Sequence, residues 1–117
     1  MAADDANYVR LLVESLTNLA ADPESQLTYL GPVWDTAELA EDHVAPARNV
    51  GWLCDEGLIS PRVRELAERI TEVFDAMSGP EKAERWSEQA LATDPGWVEI
   101  RAMAREALSA LGSEAHR

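Results

Sequence analysis

The sequence holds a single cysteine, Cys54, and two histidines, His43 and His116. One cysteine cannot close an internal disulfide, and this usage fits a reducing compartment better than an oxidising one. Paired cysteines at metal-binding spacing, two histidines one turn apart and Glu-x-x-His pairs are all missing. Their absence removes structural zinc, zinc-protease and di-iron bundle sites. A calcium loop would need acids alternating around a glycine, which the acid-rich stretch 34–46 lacks. The chain also lacks a G-x-S-x-G elbow, a phosphate-binding glycine-rich loop and a dinucleotide fingerprint. Cys54 is followed by Asp55 and Glu56, whose charge opposes thiolate formation, so it reads as a small buried apolar residue beside Trp52 and Leu53. No apolar run approaches the roughly 18 residues of a membrane span. Nor does the chain open on a basic stretch, apolar core and cleavage site. The expectation is a cytoplasmic protein.

Positive charge is also scarce. Lysine occurs once, at Lys82, against nine arginines, and the formal net charge is -12. With abundant alanine, the arginine bias is that of a GC-rich bacterial genome. The imbalance is uneven: residues 1–44 carry nine acids and only Arg10, so two-thirds of the excess lies there. A field of this sign repels phosphate backbones and anionic membranes and attracts basic partners. At 117 residues and 46% apolar composition, the chain is long and hydrophobic enough for one globular domain with a real core. Residues 1–5 and 113–117 are small and polar and are expected to be flexible.

What is present is a set of helix starts. "DPES" at Asp22, "SPRV" at Ser60, "GPEK" after Ser78 and "DPGW" at Asp94 each put proline at a first helical position, three of them behind Asp or Ser. Tyr8, Leu11, Leu12, Leu16 and Leu19 share one face of a first helix. After Ser60, Val63, Leu66, Ala67, Ile70, Val73, Phe74 and Met77 form an unbroken apolar stripe. A last helix over 95–111 turns Trp97, Ile100, Ala104, Ala107, Leu108 and Leu111 inward and stops at Gly112. Shorter helices are expected over 24–30, 35–43, 48–56 and 81–92. The pattern is interrupted at Pro46 and Gly51, and no segment alternates like a strand. The fold class that follows is all-α, a single helical bundle of five to seven helices.

Two short stretches resemble known families. "KAERWSEQALATDP", with Ala83, Ala90, Leu91 and Pro95, resembles the second half of a tetratricopeptide repeat. Ser87 stands where an aromatic residue is usual, however, and no second copy lies about 34 residues away, so a helix ended by an Asp-Pro turn is the expectation. Gly57 to Arg62, "GLISPR", resembles the segment after the helix-turn-helix of MerR-type regulators. The region upstream is the most acidic of the chain and supplies no basic recognition helix, so Ser60-Pro61 is read as a helix cap and no nucleic-acid partner is expected.

The stretch "WDTAELAEDHVAP" gathers Asp35, Glu38, Glu41, Asp42 and His43 within nine positions. On a helix Glu38 and Asp42 are one turn apart with Glu41 beside them, whereas His43 points about 100° away from Asp42. His43 is read as a helix-end residue favoured by the C-terminal dipole. Trp34 stands just before the acids, and an aromatic residue in an acidic surround is a common hot-spot composition for a basic partner. A merely solvated acidic face, and core filling for Trp34, remain open at this point. The function expected is a non-catalytic acidic protein-interaction module. Trp34, Asp35, Glu38, Glu41 and Asp42 would engage a basic protein, as in an immunity-type or toxin-neutralising inhibitor. No cofactor or metal is expected. The alternatives are a carboxylate/His43 metal-binding or enzymatic bundle, and a homo-oligomeric structural or regulatory protein that buries its tryptophans against a second copy.

Overall fold

A computed structural model describes residues 3–115, and every regular element in them is helical. The order is α1 (Ala3–Ala20), α2 (Pro23–Leu30), α3 (Ala37–Arg48), α4 (Val50–Asp55), α5 (Pro61–Met77), a 3-10 helix (Pro80–Trp86), α6 (Ala90–Thr93) and α7 (Pro95–Ala115). Three of the four proline starts work through side-chain caps; the one at Gly79 has none. Asp22 accepts the Ser25 amide at 2.8 Å and Ser60 accepts the Val63 amide at 3.2 Å, each filling one of the orphan donors of a first turn. Asp94 accepts the Gly96 amide at 2.8 Å and also takes Arg85 in a two-pronged pair, Nε to Oδ2 and Nη2 to Oδ1, both 2.9 Å. That pair holds the Asp94 carboxyl below its usual range, with the Gly96 amide adding to it. Gly57, at φ 75°, ends α4: its amide reaches the Cys54 carbonyl, and that of Leu58 the Leu53 carbonyl. This double closure needs the left-handed conformation glycine allows.

The core forms where α1, α5 and α7 meet, with α3 laid across α1 and α5. Leu12, Leu16 and Leu19 of α1, Val63, Leu66, Ala67 and Ile70 of α5, and Trp97, Ile100, Ala104 and Ala107 of α7 are sealed from solvent. Burial of this apolar surface is the main force holding the helices together. Among the described residues no helix is long and apolar enough to cross a membrane.

Several boundaries differ from expectation. Tyr8 and Leu11 lie at the edge of the α1 stripe and stay more than one-third exposed; Tyr8 packs edge-on against Trp52 with centroids 5.4 Å apart. α3 continues through Pro46 to Arg48, so His43 is mid-helix and not at its end. Burial of the Pro46 ring offsets the missing amide. The segment 81–92 divides into the 3-10 helix and the single turn α6, because the Trp86 and Trp97 indoles donate to the Met77 and Arg85 carbonyls, both at 2.9 Å. α7 runs past Gly112 to Ala115 and α1 begins at Ala3, while residues 1–2 and 116–117 lie outside the described residues. Cys54 is half-buried at the margin of the core.

Two polar links cross this interior. Arg101, buried on α7, donates to the Ala21 carbonyl at 2.9 Å, the Leu91 carbonyl at 2.8 Å and the Gln26 side chain at 3.0 Å. Arg105 reaches the Ala20 carbonyl at 2.9 Å. α1 has no basic residue in its own last turn, so α7 supplies the cations that its C-terminal carbonyls favour. The second link joins Ser15 of α1 to His43 Nδ1 at 2.9 Å. Because the Ala67 carbonyl, 3.5 Å from Nε2, can only accept, Nε2 carries the imidazole proton and the Ser15 hydroxyl donates to Nδ1.

Candidate functional site

The acidic stretch begins in the loop between α2 and α3. Gly31, at φ 64°, ends α2 and sends its amide to the Leu27 carbonyl at 3.0 Å. The chain then passes Val33 and Trp34, which are 79% and 59% exposed, so neither fills the core. Thr36 pins the far end of the loop: it is buried, and its hydroxyl donates to the Trp86 carbonyl. Asp35 accepts the Ala37 amide on its side chain at 3.0 Å and the Glu38 amide on its carbonyl at 3.1 Å. Its carboxylate therefore opens α3 and sits at the edge of the face it was expected to join.

Glu38, Glu41 and Asp42 follow on one side of α3. The carboxyl of Asp42, one turn on, and that of Glu41 beside it crowd Glu38 and push its carboxyl up to about 7. Two carboxylates this close cannot both ionise freely without a cation between them. None of the ion pairs among the described residues reaches Glu38, Glu41 or Asp42. The Tyr29 hydroxyl donates to Asp42 Oδ2 at 2.8 Å, and that bond, with the surrounding negative charge of Glu38 and Glu14, raises the phenol above its ordinary range. The Tyr29 ring remains half exposed.

The structure groups Glu38, Glu41 and Asp42 on α3 and adds Tyr29, bonded to Asp42, and Glu14 near it, both of which sequence reasoning passed over; Val33 and Trp34 stand in the preceding loop, with Trp86 and Glu88 as neighbours. Nothing in "PESQLTYL" singles Tyr29 out, because its tie to Asp42 exists only once α2 and α3 are in place. His43 does not join the carboxylates. It is buried between α1 and α5, and burial lowers its pKa. With both ring nitrogens turned to Ser15 and Ala67, it offers no lone pair to a metal on the acidic side, and among the described residues no three potential ligands converge. His116 lies outside the described residues.

The face offers hydrogen-bond acceptors with negative charge and the phenol of Tyr29 held on Asp42. No family model, curated protein or solved structure matches the chain.

Proposed function

We propose that this chain is a non-catalytic acidic protein-interaction module that binds a basic protein through Trp34, Tyr29, Glu38, Glu41 and Asp42, with Asp35 at the margin. Inhibition of immunity or toxin-neutralising type is the form of action that suits it best. The observation carrying this reading is the trio Glu38, Glu41 and Asp42, which enters no ion pair among the described residues, with the half-exposed Tyr29 bonded to Asp42 and with Val33 and Trp34 exposed in the loop that leads into α3. An incoming arginine or lysine would displace the proton held at Glu38 and supply the missing counter-charge, while the aromatic rings give desolvated contact area around it. The net charge of -12, two-thirds of it within residues 1–44, speeds encounter with an electropositive surface and opposes nucleic acid. An inhibitor that must reach a basic toxin before it acts gains directly from such steering.

The test is affinity capture from the native source at low and high salt, with wild-type chain beside Glu38→Lys/Glu41→Lys/Asp42→Lys and Trp34→Ala variants. The expected result is one basic protein held by the wild type, weakened by salt and lost with either variant. Equal capture by folded variants would sink the reading.

A further inference from the structure

A second recess lies on the other side of α3, facing α5, and no motif in the sequence announced it. It is an open cavity of about 510 Å³, within the range of small-molecule sites. Its floor is apolar: Val44 and Ala47 from α3, Phe74 from α5 and Trp86 from the 3-10 helix, with the His43 ring below them. Phe74 and Trp86 are stacked, with centroids 5.9 Å apart and planes 22° from parallel. Trp86 is further fixed by its indole bond to the Met77 carbonyl. The floor is therefore preformed and rigid.

Its rim has the opposite character. Glu68, Glu72 and Asp75 follow one another along α5 at helical spacing, and Glu41 faces them from α3. Arg48 is the single cation lining the recess. Of the four carboxylates, only Glu68 is neutralised, by Arg64 at 3.2 Å; Glu41, Glu72 and Asp75 enter no ion pair among the described residues. An apolar floor under a surplus of carboxylates selects against anions by charge, and gives a neutral hydrophobe nothing to place at the rim. An ammonium or amidinium on an apolar body satisfies both halves.

We propose that the groove between α3 and α5 binds a small organic cation, its aromatic or branched aliphatic body on Val44, Ala47, Phe74 and Trp86 and its charged head at Glu72 and Asp75. The cavity's size suits a free small molecule, and the aromatic pair adds cation–π attraction to the carboxylates. The groove shares Glu41 with the acidic face around Glu38 and Asp42, but its floor and the two carboxylates that take the charged head, Glu72 and Asp75, are its own.

Three probes with one indole body separate the contributions: tryptamine, the neutral tryptophol, and indole-3-propionate. Each is titrated into the full chain at neutral pH and followed by amide chemical shifts. Tryptamine is expected to saturate with shifts on the facing sides of α3 and α5, tryptophol to bind about tenfold more weakly, and the acid not to bind. Glu72→Gln with Asp75→Asn, both exposed and so tolerable to the fold, should erase the preference for the amine and leave tryptophol unchanged. Ala47→Phe should fill the groove and block both. Equal affinity for amine and alcohol would overturn the proposal. So would shifts confined to the Tyr29–Trp34 face, or no saturable shift with tryptamine, phenethylamine and benzyltrimethylammonium alike. A lysine-rich amphipathic peptide that moves the groove residues when these amines do not would also overturn it, in favour of a partner's side chain.

Discussion

His43 and Glu38, five residues apart on α3, titrate with opposite consequences for stability. Burial depresses the His43 pKa, with the Ala67 carbonyl opposing only in part, while the unfolded imidazole titrates near 6.5. The unfolded chain therefore takes up a proton more readily than the folded one. His43 contributes its full stability above about 6.5 and loses it as pH falls below that value. Glu38 behaves in reverse, because its folded carboxyl is pushed up to about 7 from 4.5 by Asp42 and Glu41. Between those values the folded state holds the extra proton, so this contribution is lost as pH rises through the window. In the wild type the two slopes oppose each other across the mildly acidic range. Glu38→Gln removes one of them. Its urea midpoint should gain on the wild type above pH 7, and fall more steeply than the wild type's between pH 7.5 and 5. A parallel pair of pH curves would show that Asp42 and Glu41 do not raise the Glu38 carboxyl.

At the scale of elements, two glycines in α7 test how tightly its ends are tied. A Cβ on Gly96 would lie 2.6 Å from Met77 Sδ, 2.9 Å from Arg85 Nη2 and 3.0 Å from Asp94 Oδ1. None of these gives way easily, since Met77 is fully buried and Arg85 and Asp94 hold each other by two bonds. Gly96→Ala should cost about 1–3 kcal/mol. At Gly112 the same substitution meets nothing within 4 Å, in a helix that continues to Ala115, and should stabilise by about 0.5–1 kcal/mol. Chemical denaturation of both variants checks the pair; a neutral Gly96→Ala would mean that Met77 repacks freely.

The helices themselves were legible wherever proline, a capping side chain and a clean 3.6-residue stripe coincide, as from Ser60 to Met77. They were misread where a long-range contact decides the backbone. The indole of Trp86 bonding to Met77 and that of Trp97 bonding to Arg85 break 81–92, and nothing local to that segment announces either. The buried polar residues left a fainter mark. Arg101 falls in the stripe four residues after Trp97, and His43 in that of Leu39, each a lone polar group among inward positions. Such a residue signals a buried partner, but the partner's identity depends on which helix packs opposite. The carboxylates of the acidic face could be grouped from helical spacing alone, whereas the groove between α3 and α5 needs two helices and the 3-10 segment in place before it exists.

Taken whole, the molecule is an elongated bundle of 42 × 25 × 22 Å whose charge and exposed apolar surface coincide toward the N-terminal third of the sequence. Tyr29, Val33 and Trp34 are large apolar groups held in solvent, where the proposed function puts a partner. A second copy of the chain is disfavoured as that occupant at neutral pH, because the same face carries Glu14, Glu38, Glu41 and Asp42 and two such faces repel. Light scattering at pH 7.5 and low salt should therefore report a monomer. As pH falls toward the isoelectric point near 4.4 the repulsion fades while the apolar groups remain, and association should appear. Val33→Ser with Trp34→Ser should suppress that association without altering the helical content, since neither side chain is in the core. A dimer already present at pH 7.5 and abolished by these substitutions would make the face a self-interface. Electrostatic repulsion would then be too weak to reserve it for a basic partner.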